Sequence, residues 1–543
     1  FHAIGADAAS PWRAYSGYLA GRAMIRAAML AENVTPEAIA RRNQRLAEAE
    51  TELNAVVANP DAAPAQAWAR QKLDYIALRI HPFERLHAIS RVLTAASPAT
   101  RHDLDDYRWL MNELVGDSVN YPYPGTDRRD QMAANDDLTD WILAMQGEGR
   151  AGDERAVSRW QATRSAPWLA AALWNVPAGH PLADAALDAA RAVDHTSPAF
   201  ATVAFLRVRL LARIGRRAEA RRDLGTLPST SGPGIDVETL NLLRAERVML
   251  ADSLDEFLAN APRAVVLNEA ARDMRGALPP NLEQPFDQPV IGDDAAVALN
   301  DWFPLNRLVD AAMSPMLPPR IRVRVANAAF SRAFVLRRDA EALRVAPVLR
   351  ELAPKLGADI DRFVNAANAD ERHAAGVFLF LRTPGMHAMI QTPEDDYSYG
   401  VDDPNAEFDR VLHRNWWCEL DLRIRNGKIG EGSSELLGLL YQGNRVPAPS
   451  FLSVEDRAAA DREMKALAAV ASMRSYLGAE ALTWVRTKPR GIDVAEALAQ
   501  TVQGWRFGCG DDGKWGIARQ AFNSLHRLFP QSDAAKRTTY WYQ

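Results

Sequence analysis

The sequence predicts an all-α protein, an α-solenoid of irregular helical hairpins interrupted by long ordered loops. Three observations lead there. Apolar residues recur at three- and four-residue spacing through most of the chain, as in Phe200, Ala204, Leu210 and Leu211, which gathers them on one helix face. Alanine is abundant and sustained Val-Ile-Thr-Tyr alternation is nearly absent, so propensity and pattern agree. The periodic stretches are also short, and a short amphipathic helix is stable only when its apolar face has a neighbour. Stacking satisfies many such pieces at once.

Residues 197–228, SPAFATVAFLRVRLLARIGRRAEARRDLGTLP, are the clearest unit: two helices with a turn at Gly215, the second presenting Ala218, Leu224 and Leu227. This pair resembles a tetratricopeptide-type repeat, in which a turn glycine precedes a small, closely packed residue, here Gly215 and Ala220. Val208 stands where that family usually carries glycine or alanine, and Pro228 arrives early. The resemblance implies stacked hairpins whose surface holds peptides or other proteins.

The other elements follow the same pattern. Residues 11–57 read as a helix pair, the second started by Thr35 as N-cap with Pro36 and Glu37 behind it. Two helices are expected over 63–96 and one around DLDDYRWLMNELV. The segment 120–128, with Pro122 and Pro124 alternating with Tyr121 and Tyr123, is excluded from helix. Three further helices then lead to HPLADAALDAARAV. Pro11-Trp12 and Pro167-Trp168 each open an alanine-rich helix, a faint internal repeat. DVETLNLLRAERVMLADSLDEFLANAPR reads as one helix with several apolar faces, its Asn241 and Arg244 as satisfied core-edge residues. IRVRV, residues 321–325, alternates like a strand, yet Pro319 before it and VANAAFSRAFVL after it favour a helix start. VEDRAAADREMKALAAVASMRSYLGAEAL, capped by Ser453, is expected as one long helix.

Chain length calls for more than one core or a long stack. The proline- and acid-rich stretch 277–299 is the natural boundary, giving an N-terminal helical-repeat domain over 1–276 and a C-terminal helical domain over 300–543. That second part carries an acidic loop at 383–418. A net charge of −5 gives no electrostatic support for general nucleic-acid binding. No apolar run reaches the 18 residues of a membrane span. Basic residues are almost all arginine, expected on solvated faces and in internal ion pairs. The chain begins at Phe1, as after removal of a leader. Cys418 and Cys509, the two cysteines, suit one disulfide in an oxidising compartment, worth about 4 to 5 kcal/mol by loop entropy for roughly 90 bridged residues. A periplasmic or secreted location is therefore expected, with a cytoplasmic one as the alternative.

Between Glu394 and Asp409 stand seven acids and no lysine or arginine. Asp396, Asp402 and Asp403, with Asp511 and Asp512 of the glycine-rich GCGDDGKWG, are candidate ligands for calcium, which prefers several oxygens. The EF-hand spacing is absent, and a solvated loop is the simpler reading, so no cofactor is assigned. Asp395, Asp403, Glu407 and Glu419 are candidate carboxylates for glycosidic chemistry, with Tyr397, Tyr399 and Trp416 as stacking surfaces. His387, His413 and His526 reach these acids only through tertiary contact. Tyr121, Tyr123, Tyr540 and Trp541 join those aromatic residues as candidate interaction groups. The leading functional expectation is a non-catalytic scaffold or assembly subunit that binds another protein or a membrane-associated complex. The alternative is a helical glycan hydrolase or lyase using the acidic loop.

Overall fold

The computed structural model describes residues 1–30, 35–95, 100–115, 128–146, 150–230, 232, 235–265, 289–383, 386–390, 446–470, 472–506 and 516–541. Among these the architecture is all-α and solenoid-like, helix stacked on helix. The exceptions are one antiparallel strand pair, Pro262–Arg263 with Val290–Ile291, and a bridge at Gly232. The chain divides into two compact units, Phe1–Asp194 and His195–Gln543. The stretch 277–299 falls inside the second unit, whose main core extends from Val248 to Ala535.

In the first unit, helices Ser16–Met29 and Pro36–Ala58 form the opening hairpin. Thr35 Oγ1 accepts the Ala38 N–H at 3.2 Å and Pro36 takes the first helical position, so the N-terminal orphan groups are met as the sequence requires. Gly21 lets the two helices touch: a Cβ there would stand 2.7 Å from Leu53 Cδ2. Leu46, Ala49 and Leu53 are fully buried, together with Ala65 and Ala69 from Ala63–Ile80. Alanine on facing helices permits this close approach, which gives the high alanine content a packing role.

The second unit opens with Phe200–Arg213 and Arg217–Thr226, joined as the sequence predicts at Gly215, whose φ is +83°. The Arg216 N–H reaches back to Leu211 O at 2.8 Å, the 6→1 bond that closes a helix C-terminus. The same turn recurs between Pro319–Val335 and Asp339–Leu352. There Arg337 takes φ +57° and the Arg338 N–H bonds Ala333 O at 2.8 Å. In both turns the next arginine pairs with a glutamate three residues on, Arg216 with Glu219 and Arg338 with Glu341, ahead of a fully buried alanine, Ala220 or Ala342. IGRRAEA and LRRDAEA thus build one turn twice. Pro319–Val335 also settles IRVRV as helix, burying Ile321 and Val325 one turn apart.

Two expected helices are each two. The stretch 236–263 breaks at 250–253 into Val237–Met249 and Leu254–Asn260, because Ser253 Oγ accepts the Glu256 N–H and Glu256 Oε2 accepts the Asp252 N–H. The long helix after Ser453 ends at Ala468 and restarts at Met473, with Ser472 as the new cap. Ser453 itself makes the expected reciprocal box with Asp456.

Arginine also does more than pair with acids. Arg217 donates to Met249 O and Ala251 O at the end of Val237–Met249, and Arg247 donates to Leu224 O and Leu227 O at the end of Arg217–Thr226. A planar fork of donors can satisfy several C-terminal carbonyls at once, which a lysine ammonium does less well.

Candidate functional site

Most residues singled out from the sequence lie outside the described residues: Tyr121, Tyr123, Asp395, Asp396, Tyr397, Tyr399, Asp402, Asp403, Glu407, Trp416, Cys418, Glu419, Cys509, Asp511 and Asp512. The expected disulfide and both calcium readings fall there with them. Of the C-terminal aromatics, Tyr540 is exposed, whereas Trp541 packs against the core of the second unit with the Arg519 guanidinium over its ring.

The two ends of the chain between Ile390 and Val446 are held by one helix, Asp293–Trp302. Asn300 grips Ile390 from both sides, its Oδ1 accepting the Ile390 N–H at 2.8 Å and its Nδ2 donating to Ile390 O at 2.6 Å. Two residues on, Trp302 Nε1 donates to Val446 O at 2.8 Å. Arg332, fully buried, completes the clamp by donating to Ala388 O at 2.7 Å and Asn300 Oδ1 at 3.1 Å. Burial pulls its pKa down to about 10, so it remains a cation at neutral pH. His387 is buried within the same turn, where its Nδ1 accepts the Met389 N–H. Apart from the Arg332–Asn300 side-chain contact, these hydrogen bonds run to backbone atoms. They hold Ile390 and Val446, the described residues that flank the acidic segment.

The first unit presents a different arrangement, which the helical periodicity of residues 15–26 did not reveal. Trp12, Tyr15, Trp68 and Tyr18 form a continuous row: Trp12 meets Tyr15 at 6.0 Å between ring centroids, and Trp68 lies 5.8 Å from Tyr15 and 5.6 Å from Tyr18. Trp12 is 59% exposed and Trp68 48% exposed, while Tyr18 is buried. The 3-10 turn Arg13–Tyr15 places the first two rings, and Ala63–Ile80 brings Trp68 against them. The only local signal was Pro11-Trp12, which does not open a helix: the turn begins at Arg13. Large aromatic surface left in water beside fixed neighbours is the kind of feature that anchors a partner.

Deeper in the same unit, Asp136 Oδ1 accepts from Ser90 Oγ at 2.6 Å and from the Thr139 N–H, and Thr139 Oγ1 pairs with Tyr107 OH at 2.7 Å. Burial pushes the Tyr107 phenol up to about 12. Because the folded value exceeds the unfolded one of 10, the associated stability is intact below pH 10 and lost as pH rises towards 12. Tyr107→Phe is expected to cost about 1 kcal/mol at neutral pH by leaving Thr139 without its partner. It should also flatten the alkaline loss, as measured by urea unfolding on both sides of pH 10.

Elsewhere the half-buried amide of Asn241 exchanges two hydrogen bonds with Ala264, which makes it the satisfied core-edge residue expected from sequence. Among the described residues no group of three or more His, Cys, Asp or Glu side chains is placed to hold a metal ion, and no helix is long and apolar enough to cross a membrane. Comparison of the chain with protein families, curated proteins and solved structures finds no match.

Proposed function

We propose that this chain is a non-catalytic helical-repeat scaffold or assembly subunit, with tetratricopeptide-like hairpins, that binds another protein. The observation that carries the reading is the row in which exposed Trp12 and Trp68 flank half-buried Tyr15. Support for the tetratricopeptide-like character comes from the two equivalent turns at Gly215 and Arg337. An exported or periplasmic setting belongs to the proposal on the strength of the cysteine pair alone. It is tested by whether protein from its native source changes mobility on reduction.

The central test uses the full chain and a variant in which a Gly-Ser linker of about six residues replaces 391–445, since both ends of that segment meet one helical turn. Isolated gently from its source, the full chain is expected to carry a second protein in fixed ratio, and the shortened one to fold and retain it. Release of reducing ends from a glycan by the full chain, absent in the shortened one and in Asp395→Asn or Glu407→Gln, would replace the scaffold with a glycan-acting enzyme.

A further inference from the structure

Around the helix Val237–Met249 the charges withdrawn from water are matched in pairs, with one exception. Arg209 pairs with buried Glu246 at 2.8 Å, and Arg263 with buried Asp294 at 3.1 Å. The exception is Arg244 and Arg247, one turn apart on that helix, both half-buried and neither paired with a carboxylate among the described residues. Arg244 gives one hydrogen bond, from Nη1 to Pro262 O at 3.3 Å. Arg247 spends only Nη2, on the carbonyls of Leu224, Leu227 and Pro228. The charge that acts on each is another guanidinium: burial and then Arg263 lower the pKa of Arg244, and burial and then Arg244 lower that of Arg247. On the elements these two touch, Glu219 pairs with Arg216, Asp223 with Arg207 and Glu246 with Arg209. Glu238 is exposed in the first turn, about 120° and 180° round the helix from Arg244 and Arg247.

We propose that Arg244 and Arg247 form a binding site for phosphate or a phosphoryl group, a role separate from the protein-binding one above and independent of it. Two unmatched cations partly removed from water call for two negative charges. A phosphate dianion supplies both in one group, whereas a single carboxylate supplies one. Its tetrahedral oxygens accept from both guanidinium forks at once, in charge-assisted hydrogen bonds. The carbonyl bonds already made by Arg244 and Arg247 hold the forks in place before the anion arrives, which lowers the entropy cost of binding.

The test is isothermal titration calorimetry of the full chain with inorganic phosphate at about pH 7.5, where phosphate is mainly a dianion, with ionic strength held constant by sodium chloride. One phosphate is expected to bind per chain, and its presence should raise the urea midpoint. Arg244→Gln should weaken binding about tenfold or more. Arg247→Lys should weaken it less, because the charge stays and the fork is lost. Arg222→Gln, at an exposed arginine of the neighbouring helix, should leave the affinity unchanged. Urea unfolding without phosphate checks that each variant folds, and Arg244→Lys takes the place of Arg244→Gln if the latter does not. Glycerol 3-phosphate separates the sources. Tighter binding than inorganic phosphate assigns the site to the phosphoryl group of a larger ligand, and equal or weaker binding assigns it to the free ion. Absence of phosphate binding, equal binding of acetate, or unchanged affinity in both site variants overturns the proposal. So does a loss in Arg222→Gln as large as that in Arg244→Gln, the mark of a diffuse surface effect.

Discussion

Arg332→Met is expected to destabilise the second unit by about 3 kcal/mol and to loosen the turn at 386–390. Methionine fills much of the arginine's volume, so cavity cost is small. The loss comes from Ala388 O, left buried without its donor at about 1 to 3 kcal/mol, and from one of the two hydrogen bonds to Asn300 Oδ1, which keeps the Ile390 N–H. Urea unfolding gives the stability, and amide exchange at Met389 and Ile390 reports the clamp. Arg332→Lys keeps the charge without the fork and should fall between the two. Unchanged exchange at Ile390 in the methionine variant would mean that Asn300 holds the turn unaided.

Trp168→Ala should cost the first unit about 3 to 5 kcal/mol, the range for emptying a fully buried aromatic site. Trp168 is completely enclosed in Ala166–Asn175, its Nε1 donates to Asp137 Oδ1 at 2.9 Å, and the Arg159 guanidinium lies 5.0 Å from its ring centroid. Trp12→Ala, at a site more than half exposed, should change stability by less than about 0.5 kcal/mol. Exchange measurements would locate the Trp168 effect within Phe1–Asp194. Equal costs for the two substitutions would contradict the burial difference on which both predictions rest.

Much of the fold was legible because helix signals are local. Thr35-Pro36-Glu37 and Ser453 mark starts by groups that bond within their own first turn, and Gly215 marks a stop by adopting a left-handed conformation at little cost. Two helix breaks also carry local signals, Ser253 followed by Glu256, and Ser472, but both lie inside apolar patterns that run on without interruption and mask them. Arg337 hid the second copy of the turn, since a left-handed arginine leaves no mark in composition and is held by what surrounds it.

The candidate site was legible only as a list of chemically capable residues. The acids drew attention by their number, yet what the described structure determines is the clamp on the residues that flank them, made by Asn300, Trp302 and Arg332. Those three are separated from Ile390 and Val446 by long stretches of chain, and no spacing rule links them.

Pro11-Trp12 and Pro167-Trp168 show where the division lies. That the chain is all-α, where most helices start, and that their apolar faces must stack can be read from the residues alone, because propensity, capping and periodicity act within a few residues. That Trp168 is sealed in a core while Trp12 joins Tyr15 and Trp68 at the surface follows from the packing of helices distant in the chain. Burial depends on which helices arrive from elsewhere in the chain to cover a side chain, and a dipeptide carries no record of that.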